Sequence, residues 1–209
     1  MTQAPPPETR DRILDAAEDA FSEHGLAGAR VASIAADADA NKAMLYYYFG
    51  SKDGLYTAVL ERVADTVVGM ADSALVESHA PPEERLFAFL AGYRDLLASR
   101  PKILRLVLHE ALTGGERILP LVMARAPRVL QAFWQCVQEG QALGTISPEL
   151  DARAVLPALL APYVLFNVGS TMLSGRIPID PEQLRSVYHE TAMAIARDGV
   201  LCSPPQEQA

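Results

Sequence analysis

Apolar residues recur at helical spacing along almost the whole chain. Near the start, Ile13, Leu14, Ala17 and Phe21 fall on one stripe, which is typical of a helix with a single buried face over about residues 8–24. Gly25 follows, at a position where a left-handed residue commonly ends a helix. No Asn-Gly or Asp-Gly pair lies between two runs of alternating polarity, so hairpins are not expected. The pattern predicts an all-α protein.

Glycine, proline and capping residues divide the remaining chain into eight further segments of helical period, which gives about nine helices. The first two are short and cover about residues 31–38 and 42–49; in the second, Leu45 and Phe49 lie one turn apart on the inner side. The other six cover about residues 52–75, 82–99, 101–112, 119–143, 151–173 and 181–200. The polar, proline-containing ends, residues 1–7 and 203–209, are predicted to be disordered.

The apolar stretch at residues 152–173 is long enough to span a membrane. It contains Arg153, Pro157, Pro162 and Asn167, however, and a buried helix of an all-α protein accounts for it with less strain. Residues 1–7 lack the basic region and apolar run of a signal peptide. We therefore expect a cytoplasmic protein with no membrane partner.

Composition and charge narrow the function. The chain has 209 residues, half of them hydrophobic, and a net charge of −8, which argues against a protein that holds nucleic acid by bulk positive charge. Its two cysteines, Cys136 and Cys202, form no CxxC motif or Cys/His cluster, so neither a zinc site nor a disulfide scaffold is expected. The sequence contains no glycine-rich phosphate loop, nucleophile elbow or HExxH motif. We expect no catalytic residue, metal or cofactor.

Residues 29–53 carry the most specific chemistry. Two short helices that are joined by a tight turn and packed on a preceding helix form a helix-turn-helix, whose second helix presents its outer face to the major groove of DNA. Tyrosine hydroxyls suit phosphate or base-edge hydrogen bonds, lysine suits a phosphate, and methionine suits a thymine methyl group. Because Leu45 and Phe49 point inward, the outer face is formed by Lys42, Ala43, Met44, Tyr46 and Tyr47.

Residues at the ends of these helices extend the predicted contact surface. Asn41 is placed to cap the second short helix. Ser51 and Lys52 open the next helix, where free amide groups and a cation form a phosphate site. Arg30, just before the first short helix, is a further candidate for a phosphate contact. Two arginines of the first helix either contact the DNA backbone or are solvated; they are Arg10 and Arg12.

This N-terminal block resembles the DNA-binding domain of the TetR/AcrR family of bacterial transcriptional repressors. The resemblance covers about fifty residues with the same order, spacing and helical period: Ile13 to Ala17, Phe21, Gly25, Ile34-Ala35, Lys42, Leu45 to Phe49, and Ser51-Lys52. It implies a DNA-binding domain at residues 8–56, followed at residues 57–202 by a helical domain that binds an effector and dimerises. It also implies that a homodimer binds a double-stranded, palindromic operator and is released by a small molecule.

Several positions depart from the family pattern. Asp39 stands where glycine is usual in the turn, although Asp tolerates the left-handed conformation at some cost. Arg30 stands near the usual Ser or Thr and cannot replace its helix cap. Gly54 replaces the Glu that often completes a capping box with Ser51. Residues 8–56 contain five basic and nine acidic residues, a charge of −4, so DNA affinity must come from local placement and we expect a shallow salt dependence.

The C-terminal helices supply candidates for effector and dimer contacts. Their aromatic and leucine content implies a largely apolar effector. The candidate effector residues, each with packing as its alternative role, are Tyr93, His109, Glu110, Phe133, Trp134, Tyr163, Phe166 and Asn167. A stripe of the last helix, together with the preceding apolar helix, predicts a two-fold four-helix interface that contains Leu184, Val187, Tyr188, Thr191 and Ile195.

Two other classes of function stay open from the sequence. A helical interaction module that binds no DNA would tolerate replacement of Lys42, Tyr46 and Tyr47. A small-molecule enzyme with Cys136 and His109 as a catalytic pair would require turnover, but a mid-helix cysteine among apolar residues usually acts as a small hydrophobe. A ligand-responsive transcriptional repressor is the preferred interpretation.

Overall fold

Ten helices occupy the residues that the structure describes, which are 7–173 and 180–201 of a computed structural model. They are α1 (Pro7–Gly28), α2 (Val31–Asp37), α3 (Lys42–Phe49), α4 (Lys52–Leu75), α5 (Pro82–Ser99), α6 (Pro101–Leu112), α7 (Ile118–Arg125), α8 (Pro127–Leu143), α9 (Ala152–Leu173) and α10 (Pro181–Val200). The prediction of an all-α fold is confirmed. The ends predicted to be disordered lie outside the described residues, except for Pro7, which begins α1.

Two helix boundaries differ from the prediction. The segment predicted as one helix at residues 119–143 is two helices, α7 and α8, because Pro127 has no amide hydrogen with which to continue α7. The first helix does not end at Gly25 but extends to Gly28 across a break there. The φ of 65° and ψ of 179° at Gly25 are not helical, so this glycine interrupts α1 without ending it.

The chain divides into two compact units. Among the described residues, the first contains those up to Val68 together with Arg100–Arg125, and the second contains Gly69–Ser99 together with those from Ala126 onward. The end of α4 therefore belongs to the second unit, while α6 and α7 belong with the N-terminal helices.

In the first unit, α1 packs against α2, α3 and α6. Ile13, Ala17 and Phe21 of α1 are fully buried, as are Ile34 of α2 and Leu45 of α3. These are the positions that helical spacing predicts for the inner faces. The first three helices therefore share one apolar core that fixes α3 in place.

Glu18 is buried although the sequence pattern placed it off the apolar stripe of α1, as it did Thr9. The reason for Glu18 is a pair of cations from other parts of the first unit. Arg62 of α4 donates to the Glu18 carboxylate at 2.5 Å, and Arg100 reaches its other oxygen at 3.5 Å. Burial of this carboxylate is possible because both of its oxygens are paired.

In the second unit, α5 packs against α8 and α9, and α9 packs against α10. Leu86 and Leu90 of α5 and Phe133 and Cys136 of α8 lie in the core. The Cys136 thiol donates a hydrogen bond to the carbonyl oxygen of Pro82 at 2.9 Å, and burial raises its pKa to about 11. A thiol in this state packs as a small hydrophobe and is a poor nucleophile.

The prediction that α9 is a buried helix is wrong for most of its surface. By length and composition, residues 152–170 form a helix that would be able to cross a membrane, and only 17% of this stretch is buried in the described part of the chain. Leu165, for example, is 70% exposed. An apolar helix with so few buried positions has more apolar surface than one internal face requires.

Candidate nucleic-acid interface

The outer face of α3 carries two exposed tyrosines. Tyr46 is 48% exposed and Tyr47 is 66% exposed, whereas Leu45, the residue before them, is fully buried. The other candidates of this face are also accessible, with Lys42 and Ala43 exposed and Met44 partly so. The structure therefore brings together on one helix the five side chains that the sequence assigned to its outer side.

Asn41 caps the start of this helix. Its side-chain oxygen accepts a hydrogen bond from the Met44 amide at 2.9 Å, as the sequence predicts. Asp39, in the preceding turn, has the predicted left-handed backbone with φ of 48°. Arg12 of α1 stabilises the turn from the other side, because its Nε donates to the Ala38 carbonyl at 3.1 Å. This structural role of Arg12 is one that the sequence pattern did not indicate.

The beginning of α2 has no side-chain cap. Arg30 occupies the N-cap position and makes no capping hydrogen bond, which agrees with the expectation that arginine cannot replace Ser or Thr there. Its side chain is exposed and remains accessible to a phosphate. The guanidinium of Arg10, which the sequence assigned either to a DNA-backbone contact or to solvent, lies 5.4 Å from the centre of the Phe49 ring. Arg10 thus packs against the end of α3.

The junction between α3 and α4 explains the glycine at position 54. Gly50 ends α3 with φ of 73°, and the Ser51 hydroxyl accepts a hydrogen bond from the Gly54 amide at 2.9 Å. A Cβ atom at Gly54 would lie 2.1 Å from the carbonyl oxygen of Phe49. The tight turn therefore excludes a side chain at the position where a capping-box glutamate is usual. Lys52, next in the helix, donates to the Ala27 carbonyl at 3.3 Å and retains two further ammonium donors.

The acidic character of residues 8–56 is compensated by cations from elsewhere in the first unit. Four acidic residues of the block pair with four basic residues that follow it in sequence. The number of these cations equals the excess of acidic over basic residues in the block. The pairs are Asp15 and Glu18 with Arg62, Glu18 with Arg100, Asp19 with Lys102, and Asp53 with Arg117.

Comparison with known proteins agrees with this geometry. The family described as "Bacterial regulatory proteins, tetR family" matches residues 13–59. The HTH-type transcriptional repressor SCO4008 of Streptomyces coelicolor is 33% identical over 161 residues, which cover 77% of this chain and 79% of that protein. The chain belongs to the TetR family. It is thus a DNA-binding transcriptional regulator and not an enzyme.

Two further relatives support the assignment. The HTH-type transcriptional repressor NicS of Pseudomonas putida is 33% identical over 69% of this chain and 62% of its own length. The TetR family regulator PfmR of Thermus thermophilus shares the fold, with a TM-score of 0.66 and 22% identity over 88% of this chain and 98% of that one. The likeness of fold thus extends through most of the C-terminal helices, beyond the N-terminal block that carries the resemblance in sequence.

In this TetR-family chain, the candidate effector residues do not form one group. His109 and Glu110 belong to the first unit, whereas the other six belong to the second. Glu110 is buried and accepts a hydrogen bond from the Tyr56 hydroxyl at 2.7 Å, which favours the structural role considered for it. Burial, followed by the hydrogen bond to the Glu110 carboxylate, raises the pKa of Tyr56. His109 is exposed beside Gly25, at the edge of a cleft of about 670 Å³.

Three of the remaining candidates come together in an aromatic cluster, which we define as Tyr93, Tyr163, Phe166, Tyr188 and His189. The Tyr163 ring lies at its centre, 6.4 Å from Tyr93 and 5.5 Å from His189 between ring centroids. Phe166 stacks on Tyr188 at 4.0 Å. The sequence pattern missed His189, although its spacing of four from Arg185 places both on one side of α10.

The other three effector candidates lie apart from this cluster or turn away from it. Phe133 is buried and packs edge-on against Phe89, with ring centroids 6.0 Å apart. Trp134 is 45% exposed, so neither of its two expected roles, core packing and pocket lining, accounts for its outer surface. The Asn167 amide donates to the Tyr163 carbonyl at 2.8 Å within α9.

The predicted dimer residues differ in their surroundings. Val187 and Ile195 are 55% and 68% exposed, and Thr191 is exposed as well. Leu184 and Tyr188 are only partly accessible. The Tyr188 hydroxyl donates to the Pro162 carbonyl at 2.6 Å, so this side chain packs within its own chain. An apolar groove of about 330 Å³ runs between α9 and α10, lined in part by Tyr188, Thr191 and Ile195.

Proposed function

We propose that this chain is a cytoplasmic repressor that binds a palindromic operator as a homodimer and is released by a small, largely apolar effector. In this proposal residues 8–56 form the DNA-binding domain and residues 57–202 form the effector-binding and dimerisation domain. The observation that carries the proposal is the exposed face of α3, where two tyrosines stand free of the protein core. Large aromatic side chains with this exposure suit contacts to base edges and sugars.

The DNA contacts follow from the positions of the exposed side chains. Tyr46 and Tyr47 contact base edges or phosphates, Ala43 allows the backbone to come close, and Met44 makes an apolar contact to a thymine methyl group. Phosphates are contacted by the flanking polar residues, which are Arg30, Asn41, Lys42, Ser51 and Lys52. Since only a few cations take part, we expect few released counterions and a shallow dependence of affinity on salt.

The homodimer is proposed to form through α9 and α10. Leu165 and Ile195, about two-thirds exposed, and Val187, about half exposed, provide the apolar surface for association with a second copy. Two-fold pairing of these helices gives a four-helix interface. It places the two α3 helices about one DNA turn, ~34 Å, apart on an inverted repeat.

The effector is proposed to bind in the second unit. The aromatic cluster supplies apolar surface from α5, α9 and α10 together with a few polar groups, which is the usual composition of a small-molecule site. An effector that binds one conformer more tightly than the other reduces operator affinity by its differential binding energy.

Selection of bound duplexes from random DNA, followed by fluorescence anisotropy, tests the DNA-binding part. We expect an enriched inverted repeat and loss of most of its affinity in Tyr47→Ala. Lys42→Ala should also weaken binding and should reduce the slope of log K against log salt by about 1 per subunit. Arg105→Ala, which removes an exposed cation from α6, is the matched control and should bind like the wild type. Enrichment of no repeat, or binding that tolerates both α3 substitutions, would contradict the proposal.

A further inference from the structure

Buried polar atoms without partners are concentrated around the aromatic cluster. Among the described residues, five buried side-chain nitrogen or oxygen atoms have no hydrogen-bond partner. Three of them lie in or beside this cluster: Tyr163 Oη, His189 Nε2 and Arg185 Nε. A buried polar group without a partner destabilises the folded state, so three in one place require an explanation.

These atoms are suited to bind an acceptor. The Arg185 Nε–H is a donor only, the Tyr163 hydroxyl can donate, and the His189 Nε2 donates in one of the two neutral tautomers. Tyr163 is 1% exposed and His189 is 8% exposed, so both donors are withdrawn from bulk water. A hydrogen bond to an anionic oxygen is strongest in such surroundings.

The charges around the cluster are mainly positive. Burial, followed by the charges of Arg94 on α5 and Arg185 on α10, lowers the pKa of His189, and Asp95 on α5 acts in the opposite direction. Asp95 already pairs with Arg94 at 2.7 Å. Arg185 forms no ion pair within the described part of the chain. The cluster therefore has one uncompensated cation beside its unpartnered donors.

We propose that the aromatic cluster binds the carboxylate group of the effector, with Tyr163, His189 and Arg185 donating hydrogen bonds to its oxygens. The apolar or aromatic body of the same molecule packs against the rings of the cluster. This inference rests on the proposed function only in identifying the ligand with the effector; the carboxylate site itself is independent of DNA binding.

Three nearly isosteric probes separate charge from shape. Benzoate, benzamide and benzamidine are titrated into the full-length chain without DNA, and binding is measured by calorimetry and by the side-chain NMR signals of His189. We expect saturable binding of benzoate and no binding of benzamidine at the same site. Benzamide should bind at least about tenfold more weakly than benzoate. Equal binding of all three, or the absence of saturable benzoate binding, would overturn the proposal.

Substitution of the donors distinguishes binding from packing. In Tyr163→Phe, loss of an unpartnered buried hydroxyl should leave the melting temperature equal or higher, while benzoate affinity falls about tenfold. Arg185→Gln should lower benzoate affinity about 10- to 100-fold. Arg128→Gln removes an exposed cation from α8 of the same unit and should leave affinity unchanged. A Tyr163→Phe protein that melts lower and binds benzoate normally would assign the hydroxyl a structural role and refute the site.

The same titrations on operator DNA separate the two proposals. If benzoate binds and weakens operator binding, both the carboxylate site and its effector role are supported. If benzoate binds and operator affinity does not change, the site stands and the effector role assigned to it is wrong.

Discussion

The cap of the recognition helix offers a sharp test, because Asn41 lies both at a helix end and on the proposed DNA surface. Replacement by alanine removes the oxygen that accepts the Met44 amide at 2.9 Å. Loss of such a cap costs about 1 kcal/mol. In a chain of 209 residues this corresponds to a melting temperature lower by about 2–4 °C.

Three substitutions at this position separate capping from DNA binding. Asn41→Ser retains a capping oxygen and should resemble the wild type in stability and affinity. Asn41→Asp retains the cap and also interacts favourably with the helix dipole, so its stability should equal or exceed that of the wild type. Its negative charge, however, faces the phosphates. At about 1 kcal/mol per copy in water, doubled in a two-fold dimer, the repulsion weakens operator binding about 30-fold.

Thermal unfolding followed by circular dichroism gives the stability order, and fluorescence anisotropy with a labelled operator at fixed salt gives the affinity order. We expect the two orders to differ: Asn41→Asp is among the most stable variants and the weakest binder, whereas Asn41→Ala is the least stable. Wild-type affinity in Asn41→Asp would show that the start of α3 does not face DNA. Wild-type stability in Asn41→Ala would show that the cap does not stabilise the helix.

Three further predictions concern an ion pair, a turn and a buried thiol. Glu18→Gln should lower the free energy of unfolding, measured in urea, by about 2 kcal/mol, because it leaves the partly buried Arg62 without its main partner. Asp15→Asn, which removes an exposed carboxylate from the same arginine, should cost less than about 1 kcal/mol. Gly54→Ala should destabilise the protein by about 2 kcal/mol or more, because its new Cβ atom would clash with the Phe49 carbonyl oxygen. Gly69→Ala, whose Cβ atom would meet no neighbouring side chain or distant backbone atom within 4 Å, should stabilise the protein by about 0.5–1 kcal/mol. The reverse order in urea titrations would contradict the geometry of the turn. Cys136, whose pKa is raised to about 11, remains a thiol at pH 8 and should be alkylated by iodoacetamide only after unfolding, as peptide mapping of the labelled protein would report.

The features that the sequence predicted correctly are local ones. Helical spacing identified Leu45 as buried and the two residues after it, Tyr46 and Tyr47, as exposed, because successive residues of a helix point in different directions. The Asn41 cap and the left-handed Asp39 follow equally from a few neighbouring residues. Local rules of this kind require no knowledge of how distant segments pack.

The features that could not be predicted depend on distant contacts. Glu18 is buried because Arg62 and Arg100, 44 and 82 positions later in the sequence, pair with it, and no periodicity indicates such pairs. The charge of residues 8–56 was misleading for the same reason, since its compensating cations lie outside the block. His189 was missed because a single histidine on an apolar helix face is more often a packed residue than a ligand, and only its unpartnered Nε2 marks it as unusual.

The division of the chain into compact units has a consequence for protein engineering. Grafting residues 8–56 alone onto another regulator would transfer the acidic residues without Arg62, Arg100, Lys102 and Arg117, the cations with which they pair. In the graft, Glu18 would have no counterions, and the transferred block would present a net charge of −4 to the negatively charged DNA. A chimeric regulator with exchanged specificity should therefore carry the residues up to Val68 and Arg100–Arg125 as one transplanted module.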